Sequence, residues 1–182
     1  MRKKTEIRIG GSGGQGVVLA ALLLGKAAAF EGKKVLQTQA YGAEARGSLA
    51  RSEVIISDAK IGFPAVRRCD ILLAMTQESL NTLMKDLKET GLLIVDSTNV
   101  KPAETGKRIV HQVPATEIAR KEFGDAIYAN MIMLGALAAI TNLVSRSSTE
   151  RAIRETISKR RVETNIEAFR RGLQIQISSA SA

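Results

Sequence analysis

The stretch that most restricts how this chain can fold is Gly10-Gly11-Ser12-Gly13-Gly14-Gln15-Gly16. Thr5 to Ile9, just before it, alternates and reads as a strand, while Val17 to Phe30, just behind it, is a long apolar run that reads as a buried helix. Gly11, Gly13 and Gly16 fit G-x-G-x-x-G in the strand–turn–helix setting of a dinucleotide fingerprint. Glycines admit positive φ and close backbone approach, and the amides at the helix start then face an anion. The same glycines also suit a helix and a strand that only need to pack closely, and the local sequence leaves both uses open.

Lys33 to Gln39 follows as a second strand. In a dinucleotide-binding fold an Asp or Glu about 20 residues beyond the loop holds the ribose hydroxyls. Gln37, Thr38 and Gln39 stand there instead, which argues against an NAD-dependent dehydrogenase. Tyr41-Gly42-Ala43-Glu44-Ala45-Arg46-Gly47-Ser48 comes next, polar and glycine-bearing, and leads into a strand at Arg51 to Ser57. A loop rich in functional side chains beside a strand end is where a doubly wound sheet places ligand contacts. Arg46 can fork two bonds to a carboxylate or phosphate, or brace Glu44; Tyr41 can stack on a ligand, or pack.

Further along, Cys69 to Met75 reads as a buried parallel strand, followed by a helix through Leu87 that Gly91 ends. Leu92 to Val95 and Arg108 to Val113 read as strands, and a short amphipathic helix follows Pro114 through Phe123. Strands alternating with helices at this spacing predict an α/β fold, Rossmann-like and doubly wound, with a mostly parallel sheet and C-terminal helices. Thr76, Gln77, Asp96 and Ser97 fall at strand C-termini, where they serve more often as caps than as ligand contacts. Ala126 to Ile140 is apolar but for Asn130, and at 15 residues it is shorter than the roughly 20 a membrane span needs, so a buried helix is expected. Ser147 and Glu150 suggest a capping box for a helix carrying Ile153 and Ile157. Val162, Ile166, Phe169 and Leu173 then form one apolar stripe, and Ser178 to Ala182 reads as a frayed tail. The expected organisation is one domain over 1–182, with an α/β core at 5–143 and C-terminal helices at 147–177.

Composition narrows the function classes. A hydrophobic content of 45% excludes disorder, and 3% aromatic residues with no Trp argues against a stacking platform for nucleic acid. Cys69 is the single cysteine, so neither a disulfide framework nor an all-cysteine metal or iron–sulfur site can be built from this chain. Met1-Arg2-Lys3-Lys4 leads into a strand rather than an apolar leader, which sets a cytoplasmic location as the default. The net charge of +9 gathers at the ends, in Arg2, Lys3, Lys4 and Arg8 and again from Arg146 to Arg171, and suits a solvated basic face or an acidic partner. His111, the only histidine, lies inside an expected strand with no nucleophile or metal partner in view, and is expected to be structural.

Taken together, Gly11 to Gly16 as G-S-G-G-Q-G, Gln39 to Gly47 as Q-A-Y-G-A-E-A-R-G, Arg51 to Ser57 as R-S-E-V-I-I-S and Leu93 to Ser97 as L-I-V-D-S resemble the gamma subunit of 2-oxoacid:ferredoxin oxidoreductases, most closely the 2-oxoglutarate type. The resemblance covers roughly residues 6 to 143. It implies a heteromeric enzyme that oxidatively decarboxylates a 2-oxoacid with coenzyme A, giving acyl-CoA, carbon dioxide and reduced ferredoxin; pyruvate and ketoisovalerate enzymes belong to the same group. Thiamine diphosphate, magnesium and iron–sulfur clusters are then expected on the thiamine-binding and ferredoxin-like partner subunits. This chain has no Gly-Asp-Gly stretch and one cysteine, and is expected to carry no complete active site. The cofactor-binding residues carried over are Gly11, Ser12, Gly13, Gly14, Gln15, Gly16, Tyr41, Gly42, Glu44, Arg46 and Gly47, as part of a coenzyme A site; no catalytic or metal-binding residue is expected, nor contact with nucleic acid or membrane. A free-standing nucleotide-binding reductase and a basic nucleic-acid-binding module are the competing classes.

Overall fold

β1 (Lys4–Ser12) is buried along both of its faces, with Thr5, Ile7, Arg8, Ile9, Gly10 and Gly11 all inside. Such a strand belongs at the centre of a sheet. The computed structural model describes residues 4–41, 49–102, 105–175 and 179–180, with Tyr41 and 179–180 given by backbone alone. Within them β1 is joined by β2 (Lys34–Tyr41), β3 (Leu49–Ser57), β4 (Cys69–Ala74), β5 (Leu87–Asp96), β6 (Ile109–Val113) and β7 (Ser179–Ala180), in the order β2-β3-β1-β4-β5-β6-β7. β1, β4, β5 and β6 pair in parallel, whereas β3 is antiparallel to both β1 and β2, and β7 is antiparallel to β6. The sheet is thus mostly parallel in direction, as expected, with β3 and β7 reversed.

Alternation along the strands feeds two cores. Ile7, Ile9, Val54, Ile56, Ile71, Leu73 and Ile94 face α1 (Val17–Phe30), α3 (Ala115–Phe123), α4 (Ala129–Thr141), α5 (Arg146–Thr156) and α6 (Val162–Leu173). Ile55, Leu72, Ala74, Leu93 and Val95 face the other way, onto α2 (Gln77–Leu83) and Val66 of the coil at 58–68. α1 is apolar nearly all round because β2 and β3 cover one side and α4 and α5 the other. The amphipathic stripe expected on α6 is present, with Ile166 and Phe169 fully buried and Val162 and Leu173 partly so.

Several expectations shift. The helix predicted to run through Leu87 ends at Leu83, a 3-10 turn covers Met84–Asp86, and β5 begins at Leu87. Leu87 is fully buried in the second core and pairs with Cys69, so burial overrides the helical propensity of Lys88 and Glu89. Gly91 therefore lies inside a strand rather than ending a helix. α5 is capped by Ser145, whose hydroxyl accepts from the Ser148 amide at 3.2 Å, not by Ser147. Glu150 points instead to Arg146 and Arg170, at 2.7 Å each. Within the expected tail, Ser179 and Ala180 add a short strand to β6.

Candidate functional site

Gly10, Gly11 and Ser12 continue β1 and pair with Arg51, Ala50 and Leu49 of β3, so the turn proper is Gly13–Gly16. It closes on itself: the Gln15 amide donates to the Ser12 carbonyl at 3.1 Å, and the Ser12 amide donates back to Gln15 Oε1 at 2.7 Å. Gly16 takes φ 74° as the residue before α1, a left-handed conformation that costs most L-residues about 1–2 kcal/mol. A side chain there would also collide with the Asn130 amide, which sits against the turn and donates to the Gly16 carbonyl at 3.3 Å. The first turn of α1 has neither a side-chain cap nor an acidic residue, and no partner among the described residues takes the amides of Gly13, Gly14 or Gly16. These amides open on a shallow cavity of about 240 Å³ lined by Ser12, Gly13, Gly14, Gly16, Val17 and Ala50. The geometry fits an anion at a helix N-terminus.

Asn130 is the residue that motif reasoning missed. It is 3% exposed at the start of α4, and its Oδ1 has no partner among the described residues. Its signal was present as the lone polar side chain in the apolar run from Ala126 to Ile140, but only the packing of α4 on α1 shows that it steadies the glycine turn. Beside it a second cavity of about 230 Å³, lined by Leu19, Tyr128, Asn130, Ile157, Arg161 and Asn165, shares Leu19 with the first.

Gly42, Glu44, Arg46, Gly47 and the side chain of Tyr41 lie outside the described residues. The strands that lead into and out of this segment converge on the glycine turn: Tyr41 pairs with Ala50, which lines the cavity, and Leu49 pairs with Ser12. Topology thus brings the ends of both motifs to one edge of the sheet.

Polar side chains at the other strand ends are engaged in local hydrogen bonds. Thr76 caps α2 in a reciprocal box with Ser79. Asp96 is fully buried and accepts from the amides of Thr98 at 3.2 Å and Thr116 at 3.3 Å. Burial pushes the His111 imidazole below its ordinary value, and its Nδ1 is unpartnered among the described residues. The Cys69 thiol is pushed up to about 11 by burial, against the opposing influence of Arg8. Gln37 Nε2 is occupied by the Val18 carbonyl at 3.3 Å and Ser52 Oγ at 3.1 Å. Moreover β3 separates β2 from β1, whereas the dinucleotide fold sets its second strand beside the first.

Among the described residues, most of the arginines expected to form the basic ends are ion-paired, while Lys159, Arg160 and Arg161 make no ion pair. Arg8 is 3% exposed, not part of a surface patch: its guanidinium meets Glu53 at 2.7 Å and Asp86 at 2.6 Å. Arg151, Arg154 and Arg171 pair with Glu155, Glu163 and Glu122.

Comparison with known proteins decides what this arrangement belongs to. The family described as pyruvate ferredoxin/flavodoxin oxidoreductase matches residues 6–175. The chain belongs to that family. The 2-oxoglutarate synthase subunit KorC of Methanothermobacter marburgensis is 45% identical over 182 residues, covering 96% of this chain and 97% of that one. The crystal structure of the keto/oxoacid ferredoxin oxidoreductase gamma subunit from Geobacter sulfurreducens superposes with a TM-score of 0.85 at 38% identity, covering 94% of this chain and 95% of that one. The 2-oxoglutarate:ferredoxin oxidoreductase of Magnetococcus marinus, solved with 2-oxoglutarate, coenzyme A and succinyl-CoA bound, shares the fold at a TM-score of 0.86 and 24% identity, over 94% of this chain and 30% of that one. The chain is thus a gamma-type subunit of a 2-oxoacid:ferredoxin oxidoreductase.

The redox cofactors of this family do not fit the residues of the chain. A cluster needs several thiolates, and Cys69 is single, buried and held as a neutral thiol. Among the described residues no group of His, Cys, Asp and Glu could hold a metal ion. No helix among them is long and apolar enough to cross a membrane.

Proposed function

We propose that this subunit serves an enzyme of the 2-oxoglutarate type and that its glycine turn forms one wall of the coenzyme A site, completed by other subunits. The observation that carries the site is the uncapped start of α1, with the amides of Gly13, Gly14 and Gly16 unpartnered beside a cavity. Coenzyme A brings a phosphorylated ADP moiety, and its phosphates complement those amides and the positive end of α1. The Gln15–Ser12 ring and Asn130 hold the turn in shape before the ligand arrives, which lowers the ordering cost of binding. Glu44 and Arg46 belong to the same proposal, because Tyr41 and Leu49 return their segment to this edge. The 2-oxoglutarate assignment is supported by the KorC relative, which matches over nearly the full length of both chains. Oxidative decarboxylation itself is assigned to the partner subunits; this chain binds and orients.

Calorimetry on the assembled complex tests the site. Gly13→Val, which adds bulk to the cavity lining, and Arg46→Met should each weaken coenzyme A binding at least tenfold while the complex still elutes intact. Wild-type affinity in both variants would overturn the proposal. For the substrate, turnover by the native complex should be faster with 2-oxoglutarate than with pyruvate or 2-oxoisovalerate.

A further inference from the structure

The far end of the sheet from the glycine turn carries a different surface. There the starts of β1, β4 and β5 meet the coil at 58–68 around a shallow depression of about 390 Å³, lined by Lys4, Glu6, Phe63, Arg67, Arg68 and Lys88. Phe63 is 49% exposed, and the Arg67 guanidinium lies 4.8 Å from its ring centroid. Lys4 pairs with Glu6 at 2.9 Å and Lys88 with Asp70 at 2.6 Å, whereas Arg67 and Arg68 make no ion pair among the described residues. Along the same edge, Arg108 donates to the Leu87 carbonyl beside Lys88, and Ile109, the next residue, is 55% exposed. Phe63 and Ile109, two of the most exposed large apolar side chains, therefore stand at this end of the sheet, Phe63 in the depression with the unpaired Arg67 and Arg68.

This chemistry differs from that of the glycine turn. The depression has no uncapped helix start and no ring of backbone amides, and the Glu6 carboxylate stands in its lining, which disfavours a phosphate ligand. Its assets are an arginine over an aromatic ring, a second arginine beside it and that aromatic side chain in the open. Aromatic residues and Arg are the groups enriched where proteins meet. A second copy of the chain would bring its own Arg67 and Arg68 and repel.

We infer that this end of the sheet docks an acidic surface of another subunit of the same enzyme. Partner carboxylates take Arg67 and Arg68, and a partner apolar side chain covers Phe63. Membership of a family of multisubunit oxidoreductases makes such a partner available; the docking is independent of whether the glycine turn binds coenzyme A.

The test is an Arg67→Glu/Arg68→Glu double variant, with Phe63→Ser as a separate variant, each co-expressed with the other subunits. All three side chains are exposed, so circular dichroism and melting of each variant chain should match wild type. The expected result is a complex that dissociates at a salt concentration the wild type withstands, with subunit affinity at least tenfold weaker for the charge reversal and a smaller loss for Phe63→Ser. Coenzyme A affinity, measured on complex that remains assembled at low salt, should be unchanged. Wild-type assembly by the double variant would overturn the inference. So would loss of pyrophosphate binding without loss of assembly, which would make the depression a small-anion site.

Discussion

At the residue scale the least expected side chain is Arg8. Its place in a polar-looking N-terminus suggests a solvated charge, yet β1 is central, and Arg8 faces Glu53 directly across the β1–β3 pairing. Its guanidinium also donates to the Val66 carbonyl at 2.7 Å, which ties the coil at 58–68 to the sheet. A buried pair of this kind adds little over a hydrophobic isostere, but removing one partner strands the other. Arg8→Met is therefore expected to cost about 3–5 kcal/mol, read as a lower midpoint in urea, with Arg8→Met/Glu53→Leu recovering part of the loss. A double variant no better than the single would show that Glu53 is not the stranded group. Gly16 teaches the converse. A glycine there was legible in the motif, but its second cause, the Asn130 amide packed where a side chain would go, comes from a helix far along the chain.

At the element scale two contacts hold the C-terminal helices, one to α4 and one to each other. α4 and α6 cross with their backbones close together: a Cβ on Gly135 would lie 2.9 Å from the Gly172 Cα, and one on Gly172 would overlap the Ile132 carbonyl. Gly172→Ala should therefore force the helices apart at a cost of about 1–3 kcal/mol, which at roughly 2–4 °C per kcal/mol is visible as a lower melting temperature. An unchanged melt would mean that the crossing is looser than it looks. α5 and α6 are joined through Glu150, whose carboxyl is held at about 2, chiefly by its hydrogen bonds to Arg170, against a burial effect that pushes it up, with help from Arg146. Because this pKa is depressed from 4.5, the stabilisation is complete above the ordinary value and is lost as pH falls from there toward 2. Melting temperature followed against pH should fall less steeply in that window for Glu150→Gln than for wild type; parallel curves would assign the acid sensitivity elsewhere.

For the whole molecule, helices α1, α4, α5 and α6 share one apolar cluster with β1 and β3. We propose that the chain unfolds as one unit, the C-terminal helices included. Circular dichroism and calorimetry should then give coincident transitions, with calorimetric and van't Hoff enthalpies equal; an early transition confined to α5 and α6 would divide the chain near Ser145. The two ends of the sheet are chemically distinct, an amide-rich turn at one and exposed Phe63, Arg67 and Arg68 at the other, so the proposed coenzyme A site and the proposed docking surface fall at opposite ends.

Local pattern determined a good deal. α1 spans Val17–Phe30 as read from its apolar run, β3, β4 and β6 fall where alternating or apolar stretches place them, and Thr76 caps the helix it precedes. Each of these is set by neighbours in the chain: strand alternation, helical spacing, a hydroxyl within reach of the next amides. The family was legible for the same reason, since its motifs are contiguous. What only the tertiary structure decided depends on residues far apart. The insertion of β3 between β1 and β2 separates the glycine turn from the second strand, the start of β5 at Leu87 follows from its burial beside Cys69, and the burial of Arg8 follows from Glu53 and Asp86. The glycine turn at Gly13–Gly16 belongs to both accounts. Its conformation is written in the glycines, while its open amides, its support by Asn130 and its place beside the ends of β2 and β3 arise from long-range packing, which no window of neighbouring residues contains.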